Sequence, residues 1–149
     1  MRIIASLSCY PHQQTAIPKA AERLPSLPIL CHHLGMASAD QAGARMGPEQ
    51  VLASAQVPNI YIKLSGYAYA ARVSWDFPYR DTHELVRAKY EHFGARRMYW
   101  GSDYPVVRFS MTYQQALEAF RTHCTFVPDG DKGWILGGTL ERLLARRRA

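Results

Sequence analysis

A chain of 149 residues, 48% hydrophobic and 20% charged, is long enough for one domain with a real core. No apolar run approaches the roughly 20 residues a membrane span requires, and Met1-Arg2-Ile3-Ile4-Ala5 is too short for a signal-peptide core before Cys9-Tyr10-Pro11 breaks it; a cytoplasmic protein with no membrane partner is expected. The three cysteines form no Cys-x-x-Cys pair, which excludes a disulfide framework and a zinc ribbon, and the net charge of +6 is concentrated in Arg142 and Arg146 to Arg148 without an aromatic-interleaved stripe, which argues against nucleic acid.

In chain order, Arg2 to Ser8 is a β-prone run, and Ile17, Ala20, Ala21 and Leu24 follow at helical spacing. Ile29-Leu30-Cys31-His32-His33-Leu34-Gly35 is a second apolar run, closing on two histidines and a glycine. After a small-residue loop, Pro48 is suited to the first position of a helix through Val51, Leu52 and Ala55. Ile60-Tyr61-Ile62-Lys63-Leu64 is a third strand, ending in Ser65-Gly66 and passing into an aromatic and basic loop from Tyr67 to Arg80. Asp81 and Glu84 have capping-box spacing before a helix with Leu85, Val86, Tyr90 and Phe93 inward and Gly94 at its end.

The fourth strand is the most informative: Met98-Tyr99-Trp100 stops at Gly101 and is followed at once by Ser102-Asp103-Tyr104-Pro105. Thr112 and Gln115 then repeat the capping spacing before a helix with Tyr113, Ala116, Leu117 and Phe120 on one face, and short helices over 130–136 and 139–145 finish the chain. Four strand-helix units predict an α/β fold with parallel strands, as a small doubly wound sheet or as half of an eight-stranded barrel. No glycine-rich phosphate fingerprint follows the first strand, which disfavours a dinucleotide-binding sheet.

Parallel strands deliver their C-terminal ends to one rim, where chemistry collects. That rim would carry His12, His32 and His33, Lys63 and Ser65, and Asp103. Imidazole and carboxylate together suit a divalent ion such as zinc, and the carboxylate can also take a proton from water. Each residue has a plain alternative. Asp103 can cap the turn before Tyr104-Pro105, His12 can be an exposed residue at a helix start, and Lys63 can point to solvent as readily as to a substrate. Strand alternation lets only one of His32 and His33 face the site, and His33 is favoured. His83, His92 and His123 fall within helical patterns and are expected at the surface, and Cys9 and Cys31 are expected to pack as small apolar groups.

The set His33-Leu34-Gly35, Tyr61-Ile62-Lys63-Leu64-Ser65-Gly66, Arg97-Met98-Tyr99-Trp100-Gly101-Ser102-Asp103-Tyr104-Pro105 and Ile135-Leu136-Gly137-Gly138-Thr139-Leu140-Glu141-Arg142-Leu143 resembles the amidohydrolase-related family. That family comprises TIM-barrel proteins such as the aminocarboxymuconate-semialdehyde decarboxylase group, pyrone-dicarboxylate lactonase and fuconolactonase-like hydrolases. The resemblance implies that residues 1–149 are the C-terminal half of the barrel, from about its fifth strand to its eighth. The family's opening His-x-His pair is absent from this sequence.

By the same resemblance His12 and His33 match histidine positions after strands five and six, and Asp103 matches the acid after strand eight. The implied cofactor is a divalent metal, zinc first, held by His12, His33 and Asp103; some lactonases of the family work without a tightly held metal. The implied reaction is hydrolysis of a small carboxylated lactone or amide, or decarboxylation. Asp103 would be the general base or a ligand, His33 a ligand or carbonyl polariser, and Lys63, Arg72 and Arg80 partners of substrate carboxylates. Four strands of a barrel leave two edges and an inner face to be covered, by a missing N-terminal half-barrel or by self-association. The competing reading is a non-catalytic half-barrel that works as an association module.

Overall fold

The computed structural model describes residues 3–9, 13–39 and 48–145. Its centre is a sheet of four strands in the order β1 (Ala5–Leu7), β2 (Ile29–Cys31), β3 (Ile60–Leu64) and β4 (Met98–Trp100). All neighbours are parallel, with Leu7 beside Cys31, Cys31 beside Ile62 and Leu64 beside Trp100. Helix α1 (Ala16–Arg23) follows β1 and α2 (Pro48–Ala53) follows β2. Helices α3 (Tyr67–Ala70) and α4 (His83–Phe93) separate β3 from β4. Beyond β4 come α5 (Tyr113–Arg121), α6 (Asp129–Gly133), a π-helical turn at Trp134–Gly138 and α7 (Thr139–Ala145). Strand order equals chain order without reversal, so the sheet is one stretch of a barrel wall rather than a doubly wound sheet.

Side-chain alternation divides the strands between two faces. Ile29, Cys31, Ile60, Ile62, Leu64 and Met98 join the main core with helix residues such as Val86, Phe93 and Phe120. Leu30, Tyr61 and Tyr99 lie on the other face and pack with Ile4, Leu140 and Leu143. Helix α7 therefore plugs part of the inner face that half a barrel would otherwise leave bare. It is tied to the turn before β4, where Thr139 Oγ1 donates to the Ala95 carbonyl and Arg142 Nη2 to the Arg96 carbonyl.

Several local expectations change in three dimensions. The second run stops being a strand at Cys31, because His33, Leu34, Gly35 and Met36 all take positive φ. The segment after β3 contains α3, opened by Gly66 at φ 76°. The Asp81–Glu84 box does not form: Asp81 Oδ2 accepts instead from the Arg72 backbone N–H at 2.7 Å, and a turn at Arg80–Thr82 precedes α4. The Thr112–Gln115 box does form. Tyr113 is exposed and Ala119 is buried in its place. Among the described residues no helix is long and apolar enough to cross a membrane.

Candidate active site

The backbone leaves β4 through Gly101 and turns left-handed at Asp103, φ 63°, a region asparagine and aspartate enter more readily than other residues. Ser102 Oγ accepts the Tyr104 N–H at 3.2 Å and fixes this turn. The carboxylate meets three side chains. Tyr69, on α3, donates its phenolic proton to Asp103 Oδ2. Lys63, on β3, brings Nζ to 3.9 Å from Oδ1, and His33 brings Nδ1 to 3.6 Å from Oδ2. The His33 Nδ1 also lies 2.9 Å from Tyr69 Oη and 3.0 Å from Ser65 Oγ. These side chains are only partly screened, with 13–18% of His33, Lys63 and Asp103 exposed.

Two glycines make this convergence possible. A Cβ on Gly101 would lie 2.5 Å from Lys63 Cε, so the lysine stem crosses the bare Cα to reach Asp103. A Cβ on Gly66 would lie 2.2 Å from the Tyr69 ring. Two cavities adjoin the cluster. An open one of about 360 Å³ is lined by Ser8, His33, Met36, Tyr69, Asp103 and Val106. A more enclosed one of only about 10 Å³ lies beside Tyr69, against Trp100, Val107, Met111 and Ala116.

Burial sets the electrostatics. It holds the His33 imidazole below its ordinary value, with Asp103 opposing and Lys63 assisting that shift. Burial likewise lowers the Lys63 ammonium, against the pull of Asp103. The Tyr69 phenol is pushed up by burial and by its hydrogen bond to Asp103, so it stays protonated at neutral pH. Such a cluster offers an acceptor carboxylate, a neutral imidazole and a cation around one concavity, which are the parts of general acid–base chemistry on a polar substrate.

A fold of successive parallel strand-helix units, with an acid and a histidine at adjoining strand ends, can now be set beside known proteins. The family model described as Amidohydrolase matches residues 4–146. The chain belongs to the amidohydrolase family. Among solved structures, an amidohydrolase from Burkholderia multivorans with bound zinc is 18% identical with a TM-score of 0.76, over 93% of this chain and 51% of that one. A structure from Pseudomonas putida named as a 2-pyrone-4,6-dicarboxylic acid hydrolase is 21% identical with a TM-score of 0.69, over 97% and 51%. A dihydroxybenzoic acid decarboxylase from Polaromonas sp. JS666 with bound manganese is 16% identical with a TM-score of 0.58, over 93% and 40%. No curated protein matches. At these identities the likeness concerns the fold, a partial TIM barrel, and the chain spans about half the length of the structures it matches.

Within this amidohydrolase-family chain, the sequence-derived candidates have different fates. Asp103, His33, Lys63 and Ser65 come together. Lys63 takes the inward of its two alternatives. His12 lies outside the described residues. Arg72 Nε donates to the Ala39 carbonyl at 3.3 Å, while exposed Arg80 lies next to α4, close enough to lower the His83 imidazole. Neither arginine lines the two cavities.

His32 is also present. Its Nε2 is 2.6 Å from Ser6 Oγ on β1 and its ring centroid is 5.3 Å from that of His33. Of the pair, His33 is the one that meets Asp103 while His32 turns to Ser6, although the backbone departs from strand geometry between the two residues. Tyr69 is the member sequence reasoning missed. The signal open to it was the glycine at residue 66, which frees the turn that throws an aromatic ring back over the strand ends.

Among the described residues, no three His, Cys, Asp or Glu side chains converge as a metal site. His33 and Asp103 are two donors of suitable type, short of the three protein ligands of a catalytic zinc, and the Lys63 ammonium stands beside the acid. The described residues alone do not fit a metal ion.

Proposed function

We propose that the complete protein hydrolyses a small carboxylated substrate with a lactone- or amide-type bond, and that this chain supplies the general base and the cationic anchor. The observation that carries this reading is the convergence of His33, Lys63 and Tyr69 on Asp103 beside an open cavity. Lys63 pairs with a substrate carboxylate and sets the scissile carbonyl near Asp103. Asp103 takes a proton from a water molecule whose oxygen bonds to the carbonyl carbon. The carbon–oxygen or carbon–nitrogen bond then breaks, and the leaving atom receives that proton from Asp103. Arg72 and Arg80 are further candidates for substrate carboxylates, Arg72 only after leaving the Ala39 carbonyl.

Decarboxylation of the same class of substrate is the variant chemistry within this reading. A divalent ion, zinc first, belongs to it only with donors from His12 or from outside this chain, and would supply a polarised carbonyl or an acidified water. The free Cys9, Cys31 and Cys124 favour a reducing compartment, the cytoplasm.

We also propose that the chain is the C-terminal half of the barrel. Among the described residues β1 and β4 are each paired on one side only, which favours a partner that covers both edges: an N-terminal half-barrel, or a second copy. An association module without catalysis is the second reading that these edges support.

The test is turnover of carboxylated lactones by the protein with its four preceding strands present. Asp103→Asn is expected to lower kcat by about a thousandfold, within the usual range for a general base. Undiminished turnover in that variant refutes the assignment of Asp103, and no turnover by the wild type moves the association reading to first place.

A further inference from the structure

The cluster around His33 contains a proton count that decides what this imidazole can do. As a carboxylate Asp103 can only accept, and the Lys63 ammonium 3.9 Å from its Oδ1 is the matching counter-charge. Tyr69 has one phenolic proton, and it is donated to Asp103 Oδ2. The Tyr69 oxygen therefore turns lone pairs toward His33 Nδ1, 2.9 Å away. Were that nitrogen also bare, two lone pairs would face each other at hydrogen-bond distance. A proton on Nδ1 removes the conflict and completes a directed chain from His33 through Tyr69 to Asp103. Ser65 Oγ, 3.0 Å from the same nitrogen, serves as a second acceptor for that proton.

We infer that Tyr69 is a positioning residue that keeps His33 protonated on Nδ1, so that the imidazole turns an unprotonated Nε2 to the open cavity and works there as a base or a ligand, not as a hydrogen-bond donor to a substrate carbonyl. Among the described residues no hydrogen bond engages Nε2, and His33 lines the open cavity of about 360 Å³. Of the two roles that residue type leaves open to His33, the tautomer excludes the polariser for the neutral ring. Tyr69 can hold this position because Gly66 leaves room for its ring, which meets the imidazole edge-on at 73° with centroids 5.6 Å apart. The arrangement is a three-member version of the imidazole–carboxylate pair that fixes a tautomer through the ring nitrogen remote from the chemistry.

The inference concerns a protonation site and stands or falls without the proposed reaction. Nitrogen NMR of the imidazole rings in the 149-residue chain, at about pH 8 where histidine is neutral, reads it directly, with the His33 signals identified by their loss in His33→Gln. The wild type is expected to show a protonated Nδ1 and a bare Nε2. Tyr69→Phe removes the acceptor and is expected to move the proton to Nε2 in a large share of molecules. Asp103→Ala leaves Tyr69 free to donate to Nδ1 and is expected to move the proton to Nε2 as well, which keeps the test available should the phenylalanine variant not fold. Ser65→Ala is expected to leave the wild-type tautomer in place. A wild-type ring protonated on Nε2 overturns the inference. So does an Nδ1 proton that survives in either Tyr69→Phe or Asp103→Ala, or one that is lost in Ser65→Ala.

Discussion

The two ends of the same strands are built by different means. At the C-terminal ends the chain turns left-handed at His33, Leu34, Gly35, Met36, Gly66 and Asp103, and polar side chains gather around one carboxylate. Along the inner face, level with the middle of the strands, Tyr61, Tyr99 and Leu143 are buried together, with Leu30 and Leu140 beside them. At the N-terminal ends, just before β3 and β4, polar side chains serve helix ends and turns instead of a cavity. Asn59 Nδ2 reaches the carbonyls of Ala21, Leu24 and Leu27 at 2.8–3.2 Å, and the Arg97 guanidinium donates to the carbonyls of Phe93, Ala55 and Val57 at 2.8–3.2 Å. One end holds backbone in uncommon conformations to present side chains, and the other satisfies backbone, with the apolar plug on the inner face between them. The polar cluster and the side chains that satisfy backbone thereby lie at opposite ends of one sheet.

The contrast is broken most directly through the apolar plug. Leu143→Ala opens a void under Tyr61 and Tyr99 and is expected to lower stability by about 2–5 kcal/mol, read from urea unfolding, with the His33 tautomer unchanged. An equal loss of stability from Asp103→Ala would show that the polar end also carries the fold.

A buried charge outside both ends sharpens the comparison. Lys89, on the inward face of α4, is fully buried, and its Nζ reaches only the Leu85 carbonyl, at 3.4 Å, among the described residues. Burial pushes its ammonium down from 10.5 to about 7. Between those values the unfolded chain keeps a proton that the folded chain has released, so stability rises with pH through this window and falls as pH drops toward 7. Lys89→Met is expected to flatten that slope and to raise the unfolding free energy at neutral pH, by a few kcal/mol at most given about 1.4 kcal/mol per pKa unit. A variant slope equal to the wild-type slope would show that Lys89 titrates alike in both states.

The smallest expected effect is at the polar end. Gly101→Ala pushes Lys63 aside and is expected to raise KM for a carboxylated substrate about tenfold in the completed enzyme, equal to about 1.4 kcal/mol, with kcat and Tm little changed. A fall in kcat with KM unchanged would place Lys63 in the chemical step and remove it from substrate binding.

The chain's local chemistry made much of this legible. Apolar runs ending in glycine and alternating with amphipathic stretches determined four strand-helix units, and β3 matches its run residue for residue. The order of His33, Lys63 and Asp103 along those units was enough to assemble a candidate site, and Gly94 and Thr112 ended and began helices as their types dictate. These features depend on residues a few positions apart, where propensity and capping act.

Tertiary structure decided the rest. Tyr69 joins the site across 36 residues to His33 and 34 to Asp103, and no local pattern encodes that approach. Asp81 has the spacing of a cap yet bonds the Arg72 backbone, because a folded partner competes with the local one. His33 meets Asp103 while His32 turns to Ser6, a division set by left-handed backbone at His33 and not by the strand alternation that favoured the same residue. Lys89 falls at helical spacing from Leu85, Val86 and Phe93, and only packing decides that the charged end of a side chain there stays in the core instead of reaching solvent.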